Sequence, residues 1–318
     1  MIFITLTLIL LLIVIYLSHI QLSKGIAFCI YMIFTANLFY VLFEKQITSA
    51  TDYEAYQIAF EDIKDTDFVH IFTLDIFEPL FRIIAWLLLQ GFQEYTFIII
   101  VVIINLLIAI GIYHFYDDKN LALFALIFYT YSPIYLTMST NIIRHLLVIS
   151  LVIVMFHFKK WKKLWFLLLP LIHTSSILIV PILMLSRYIR VRFAFISFGL
   201  SILLFLTGIN QKIFGQLSIF KEYTSAQFYY LSGSSGNRLD FLVFTILIVI
   251  LGLGLYLTKI ITADLMKYLL LSGTEFGLFG FQAFSDRIAI YNWCFLIVLA
   301  PYMLVLIKKN IVFSKDYK

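Results

Sequence analysis

Long apolar stretches dominate the chain and are separated by short polar connections. A transmembrane helix needs about 20 mainly apolar residues. Because the apolar residues are continuous rather than alternating, the pattern predicts helices and not the strands of a membrane barrel. The clear predicted spans are residues 2–17, 26–43, 95–115, 121–138, 142–158, 193–208, 239–257 and 289–307.

Three other apolar segments are harder to interpret. Residues 165–185 are long enough to cross but contain Pro170, His173 and Pro181, and residues 268–284 are short and glycine-rich. Residues 79–92 are too short to cross, so we expect them to lie in the interface or to re-enter the bilayer. The pattern thus predicts an all-α polytopic bundle of nine or ten helices, with residues 1–318 in a single domain.

Composition supports lipid as the main solvent. Hydrophobic residues make up 63% of the chain and charged residues 13%, whereas soluble domains average about 45–50% and about 25%. The first apolar stretch has no basic residue before it and no cleavage pattern after it, so we interpret it as a membrane helix and not a signal peptide. Cys29 and Cys294 lie in apolar stretches away from metal-ligand spacing, and we expect both to be core residues.

The net charge of +5 is interpreted as arising from basic loops that set the orientation of the protein in the membrane, and not as a sign of nucleic-acid binding. Lys and Arg gather in cytoplasmic loops, which places the basic residues at 159–163 and 308–318 inside. Counting helices then places the segments 44–78, 141–145, 209–238 and 285–287 outside, if residues 165–185 form a re-entrant hairpin. A second count, with 165–185 as a span and 268–284 re-entrant, moves Arg238 inside.

The outer segment 44–78 holds half of the chain's 18 acidic residues. Most of them are interpreted as solvated. Asp52 and Glu78 differ, because aromatic and apolar residues flank each, and burial near the membrane surface favours a role as a general base.

Two further polar positions lie within apolar stretches. Arg144 can simply extend its charge to the interface, or it can grip phosphate oxygens with its planar guanidinium. His173 precedes Thr174, Ser175 and Ser176, close to the helix-breaking Pro170. It is interpreted either as a buried core histidine whose ring nitrogens are hydrogen-bonded or as part of a polar cavity.

The second outer loop, 209–238, combines tyrosines with a Gly/Ser tract. Tyr229 and Tyr230 can stack on sugar rings, and the glycines would let the loop open and close. An interfacial aromatic belt is the competing interpretation. Arg238 ends this loop, and Arg287, in Ser285-Asp286-Arg287, is predicted to face the same side as Arg144.

Taken in order, five motifs make the chain resemble the EpsG family of polysaccharide polymerases, often grouped with Wzy. They are Asp52-Tyr53-x-x-Tyr56, Glu78-Pro79-Leu80-Phe81, Asn141-Ile142-Ile143-Arg144, His173-Thr174-Ser175-Ser176 and Ser285-Asp286-Arg287. The resemblance covers roughly the whole chain. It implies a bacterial inner-membrane glycosyltransferase that joins oligosaccharide units carried on undecaprenyl pyrophosphate into O-antigen, capsule or exopolysaccharide. Family members commonly carry Arg-Gln where this chain has Arg144-His145, so no role is carried over to His145.

Such a reaction needs a base for the attacking hydroxyl and cations for the departing diphosphate. Asp52, Glu78 and His173 are the candidate bases, with the choice left open. Arg144 and Arg287, with Arg238 as a third candidate, are assigned to the diphosphate, and Tyr53, Tyr56, Tyr229 and Tyr230 to the substrate. Arginines are expected to replace a metal ion, and no cofactor is expected.

Membrane lipid and the lipid-linked glycans are the expected partners, with a chain-length regulator and a flippase as further candidates. The main alternative function is a lipid-linked glycan flippase or another transporter. Transporters usually carry paired repeats with broken helices in matching positions, and no such pairing is visible. A membrane O-acyltransferase using His173 would leave Arg287 unexplained.

Overall fold

The computed structural model describes residues 23–44, 47–50, 52–156, 162–216, 237–281 and 285–315. All regular structure in these ranges is helical, with no strand among them. The predicted span at residues 2–17 lies outside the described residues. The prediction of an all-α polytopic membrane protein is confirmed. The chain divides into two compact units, of which the first comprises 1–174 with 310–318 and the second comprises 175–309.

The first unit contains seven α-helices among its described residues, with short 3-10 turns between some of them. They are α1 (Lys24–Glu44), α2 (Tyr53–Lys64), α3 (Pro79–Phe92), α4 (Thr96–Phe115), α5 (Lys119–Tyr131), α6 (Pro133–Asn141) and α7 (Ile143–Met155). A 3-10 segment, Lys162–Leu171, follows α7. Another begins at Thr174, the last residue of this unit before the chain enters the second.

Helices α4 and α7 form the core of this unit. Gly111 makes their close approach possible, since a Cβ there would lie 2.8 Å from Ile153 Cγ2. Buried hydrogen bonds join the neighbouring helices: Tyr129 donates to Asn105 Oδ1 at 2.7 Å, and Tyr31 donates to the Ala109 carbonyl at 2.6 Å. Hydrogen bonds of this kind satisfy polar groups that lipid cannot.

The second unit is built around one buried helix. Its helices are α8 (Ile179–Leu185), α9 (Val191–Thr207), α10 (Ile209–Phe214), α11 (Leu239–Leu257), α12 (Ala263–Phe279), α13 (Ser285–Trp293), α14 (Leu296–Leu299) and α15 (Tyr302–Lys315), the last of which ends in the first unit. Helix α12 packs against α9, α11 and α13. Gly208, with φ of 70°, ends α9 in the left-handed conformation that glycine adopts at low cost.

Three described helical segments are long and apolar enough to cross a membrane, and up to five if each of two bent pairs counts as one span. The three are Gly25–Glu44, Pro79–Phe115 and Leu239–Leu257. The segment Pro79–Phe115 contains the predicted interfacial piece 79–92 and the predicted span 95–115, joined by a 3-10 turn. That 79–92 lies in the interface or re-enters the bilayer stays a prediction.

Two predicted spans are bent. The predicted span 121–138 is not one straight helix: the chain bends by 68° between α5 and α6, and the two helices together are apolar enough to count as one broken span. Pro133 has no N–H to donate and restricts the residue before it, so the helix ends at Tyr131 and a new one begins. The segment 289–307 also divides, with a bend of 42° close to Pro301.

Residues 165–185 do not form one continuous helix. They fall into the two 3-10 segments and α8, with His173 between the 3-10 segments. Pro170 lies near the end of the first 3-10 segment and Pro181 in the first turn of α8, so each removes a backbone donor close to a break.

Candidate active site

Glu78 lies at the point where α3 begins. Its backbone is extended, with φ of −65° and ψ of 148°, and Pro79 occupies the first helical turn, where its missing N–H costs nothing. The Glu78 side chain does not cap its own helix. Its carboxylate is therefore available to distant parts of the chain.

The carboxylate of Glu78 collects four hydrogen-bonding contacts. Oε2 accepts from Arg144 Nη1 at 2.6 Å. Oε1 lies 3.0 Å from His173 Nδ1 and accepts from the Thr174 backbone N–H at 2.8 Å and the Thr174 hydroxyl at 3.1 Å. The side chain is only 12% exposed. Three separate sequence motifs thus meet at one carboxylate, entirely within the first unit.

Arg144 is held from three sides. It is the second residue of α7, which begins after Ile142 leaves helical geometry. Besides the ion pair with Glu78, its Nε donates to the Tyr56 hydroxyl at 3.3 Å, and its guanidinium lies 4.8 Å from the centre of the Phe77 ring. Since two different nitrogens are used, the planar fork matters as well as the charge.

His173 connects the carboxylate to a second imidazole. The residue is buried, with 8% of its surface exposed. Its ring centre lies 5.2 Å from that of His145, which is also buried, in an edge-to-face arrangement. A carboxylate at Nδ1 favours the tautomer that carries its proton there, which leaves Nε2 able to accept one.

The electrostatics separate the roles of Glu78 and His173. Burial opposes ionisation of Glu78. The hydrogen bond to His173, the positive charge of Arg144 and the Thr174 amide outweigh burial, so the pKa of Glu78 lies well below its usual range. A carboxylate stabilised in this way is ionised but a poor proton acceptor. The geometry therefore suits Glu78 for orienting His173 and Arg144.

An aromatic cluster lies beside the ion pair. The Tyr56 ring stacks on Phe77, with centres 5.4 Å apart, and Tyr53 meets Phe97 edge to face at 5.1 Å. Tyr56 is buried, and its hydroxyl contacts Arg144. The structure thus gives Tyr56 a part in positioning Arg144, while a direct contact of Tyr53 or Tyr56 with substrate stays a prediction.

The sequence matches the model of the EpsG family over residues 30–314. The chain belongs to the EpsG family. The resemblance inferred from the five motifs is confirmed, and membership supports a role of polysaccharide-polymerase type. No curated protein and no solved structure matches the chain.

The other predicted site residues of this EpsG-family protein are placed differently. Asp52 precedes α2, one turn before Tyr56, and among the described residues it makes no hydrogen bond to Glu78, Arg144 or His173. Arg287 lies near the start of α13 in the second unit and is half-buried. Its assignment to the diphosphate, together with Arg144, therefore stays a prediction.

Arg238 is engaged in a local contact. Its Nε donates to Asp240 Oδ1 at 2.9 Å, and its guanidinium lies 4.0 Å from the centre of the Phe241 ring. Its assignment to the diphosphate stays a prediction. Tyr229 and Tyr230 lie outside the described residues.

Arg82 is a residue that the sequence analysis missed. It lies one turn after Glu78 on α3, only 7% exposed, and its Nη1 donates to the carbonyls of Ile71, at 2.7 Å, and Leu74. These bonds tie the 3-10 turn His70–Thr73 to α3. The spacing Glu78-x-x-x-Arg82 in an apolar helix was the available signal.

Within the described ranges, no group of three or more His, Cys, Asp or Glu side chains is arranged to hold a metal ion. The expectation that arginines serve in place of a metal stays a prediction.

Proposed function

We propose that this membrane protein is a polymerase that joins oligosaccharide repeat units carried on undecaprenyl pyrophosphate, at the outer face of the bacterial cytoplasmic membrane. Family membership supports the polymerase class. The contact set of Glu78 with Arg144 and His173 is the single observation that supports a transfer reaction. It puts a cation suited to a phosphate beside an imidazole that a carboxylate orients.

The proposed reaction uses each group once. His173 Nε2 accepts the proton of the acceptor's sugar hydroxyl as its oxygen attacks the anomeric carbon of the growing chain. The bond from that carbon to the diphosphate breaks, and its electron pair leaves with undecaprenyl pyrophosphate. Arg144 stabilises the negative charge on the departing diphosphate. The imidazolium then returns its proton to solvent or to the released diphosphate.

The tyrosines of loop 209–238, Tyr229 and Tyr230, are proposed to grip the glycan, and Arg287 to contribute to diphosphate binding. A flippase that delivers the lipid-linked units and a regulator of chain length are the proposed partners. The polymer formed belongs to the class of O-antigen, capsule or exopolysaccharide.

The glycan profile of cells that lack this protein tests the proposal against its main alternative. A polymerase defect removes long chains and retains single repeat units at the surface. A flippase defect removes both. Loss of both in the deletion strain, with recovery by the wild-type gene, would overturn the polymerase proposal.

The orientation is tested separately by cysteine labelling in intact cells. Glu61→Cys, in the acidic outer segment, should react with a membrane-impermeant thiol reagent. Arg190→Cys should react only after permeabilisation, because the count in which residues 165–185 form a re-entrant hairpin places Arg190 inside. Both positions are exposed, and the reverse result would contradict the assignment of the Glu78 site to the outer face.

A further inference from the structure

A second carboxyl group is buried in the protein, far along the chain from the Glu78 site. Glu275 lies on α12 in the second unit, and only 5% of its surface is exposed. Neither of its side-chain oxygens has a hydrogen-bond partner among the described residues. Ionisable residues inside membrane proteins are costly and usually functional. The proposed polymerase reaction assigns no role to this one.

Glu275 shares a helix face with a line of polar contacts between α12 and α13. The Tyr268 hydroxyl donates to the Tyr291 carbonyl at 2.8 Å. Asn292 Nδ2 donates to the Leu269 carbonyl at 2.9 Å and to Ser272 Oγ at 3.0 Å. Tyr268 and Ser272 precede Glu275 by two turns and one turn, so the three share one face. We call this line of contacts the α12–α13 seam.

The α12–α13 seam contains buried acceptor oxygens that lack hydrogen-bond donors. Besides the two Glu275 oxygens, Asn292 Oδ1 is buried without a hydrogen-bond partner among the described residues, and Asn292 itself is fully buried. A single bound proton would turn one carboxyl oxygen of Glu275 into a donor. The chemistry of the seam therefore calls for a ligand that brings a hydrogen-bond donor or a positive charge.

No charged partner is available to hold Glu275 as an anion. Lys267, the one basic residue of α12, pairs with Asp264 at 2.7 Å. The titratable groups in this cluster are two tyrosines and a thiol, Tyr268 on the same helix, Tyr291 on α13 and Cys294, and none of them is a base. No charged or titratable side chain of the helices packed against α12 bonds to Glu275 in the described structure. These side chains, on α9, α10, α11 and α13, include Arg192, Lys212, Asp240, Tyr256, Asp286 and Arg287. An isolated buried carboxylate costs several kcal/mol and neutralises instead.

We propose that Glu275 binds a proton in the resting protein and forms a buried acid site in the α12–α13 seam. The proton is favoured over a metal cation because Na⁺ or Ca²⁺ needs several converging oxygen ligands. Two of the buried acceptor atoms belong to one carboxyl group, and a single proton removes its charge and turns one of the two oxygens into a donor. This site is independent of the polymerase reaction and does not depend on that assignment.

Infrared difference spectroscopy of the lipid-reconstituted protein at neutral pH tests this site. Subtracting the spectrum of Glu275→Gln from that of the wild type should leave the carbonyl band of a neutral carboxylic acid, with the usual shift in heavy water. Glu78→Gln is the matched control and should remove only carboxylate bands. A Glu275→Gln difference that contains only carboxylate bands would overturn the proposal. So would loss of the acid band on adding sodium chloride at constant pH.

Carbodiimide modification provides a measurement that needs no variant. The reagent dicyclohexylcarbodiimide adds to neutral carboxylic acids, and it partitions into lipid. Mass spectrometry of the wild-type protein treated at neutral pH should find the adduct on Glu275 and not on Glu78. An adduct on Glu78 with none on Glu275 would contradict the proposal even if Glu275→Gln fails to accumulate in the membrane.

Discussion

Glu78 Oε2 lies 2.6 Å from Arg144 Nη1, although 66 residues separate them in the chain. Each side chain is mostly shielded, with 12% and 24% of its surface exposed. Shielded ion pairs interact more strongly than exposed ones, provided that hydrogen bonds satisfy the remaining atoms. The His173 and Thr174 contacts on Oε1, and the Tyr56 contact on Arg144 Nε, meet that condition. The ion pair therefore holds the side chains of Glu78 and Arg144 in defined positions, and the other site residues contact them there.

The stability of the first unit should depend on Glu78 in a pH-dependent way. A carboxyl whose folded-state pKa is lowered adds stability above its unfolded pKa, near 4.3, and this stability is lost as the pH falls through the folded-state pKa. Glu78→Gln replaces one carboxylate oxygen with an amide nitrogen, so either Arg144 or the His173 and Thr174 side loses its acceptor. We expect the variant to lose roughly 1–3 kcal/mol at about pH 7.

The measurement is the melting temperature of purified wild type and Glu78→Gln across pH. The difference should be constant between about pH 6 and about pH 8 and should shrink below about pH 4. Glu61→Gln, the same change at an exposed position of the outer segment, should leave the melting temperature unchanged. A difference that grows as the pH falls would show that Glu78 is not held as an anion.

Arg144→Lys should separate charge from geometry. Lysine keeps the positive charge but cannot contact Glu78 and Tyr56 through two nitrogens of one planar group. Loss of a donor aimed at transition-state charge costs about 100- to 1,000-fold in rate. Glycan ladders should therefore collapse to single repeat units at wild-type protein abundance. The control is Arg190→Lys, the same change at an exposed arginine. Near-normal ladders from Arg144→Lys would show that polymerisation needs only a long cationic side chain at position 144.

His173→Gln should abolish polymerisation without lowering protein abundance, because glutamine cannot accept a proton at neutral pH. The wild-type rate should fall as the pH is lowered, because a protonated imidazole cannot accept the proton of the sugar hydroxyl. Glu78 remains ionised there and should contribute no step to the profile. Rate measurements with a lipid-linked repeat unit test both points, and His114→Gln, at an exposed histidine, is the control. Normal chain length in His173→Gln would reduce His173 to a packing residue.

Arg82→Met should destabilise the outer segment. The methionine retains the apolar part of the side chain but leaves the carbonyls of Ile71 and Leu74 without their donor. We expect a lower melting temperature and earlier proteolysis within residues 65–75. Arg82→Lys should recover part of both, since one ammonium can still donate to a carbonyl. Equal behaviour of Arg82→Met and wild type would show that Arg82 does not hold this turn.

The helical class of the fold was predictable because long apolar stretches leave the backbone few alternatives in lipid. The breaks within the stretches were less predictable. Pro133 divides the predicted span 121–138, but a proline is compatible with either a kinked span or two helices. For residues 165–185 the prolines indicated an interruption, while the 3-10 form of two of its three pieces depends on packing that the sequence does not display.

The three central site residues were each visible in the sequence as a polar position in apolar surroundings. Their meeting was not, because 95 residues separate Glu78 from His173 and no local pattern links them. The choice among Asp52, Glu78 and His173 as base stayed open for the same reason. Once the contacts of Glu78 are known, its strong stabilisation as an anion favours His173. Arg82 was visible as a lone cation four residues after Glu78, but its partners are backbone carbonyls, which that spacing does not reveal.

Reconstitution of the purified protein in proteoliposomes with an undecaprenyl-pyrophosphate-linked repeat unit tests the central claim most directly. Gel analysis of the products should show wild-type protein converting single units into a ladder, with one undecaprenyl pyrophosphate released per bond formed. Glu78→Gln should lose at least about 100-fold in rate, because it disrupts both the imidazole and the guanidinium. Single units left unchanged by folded wild-type protein, or a normal ladder from Glu78→Gln, would contradict the account.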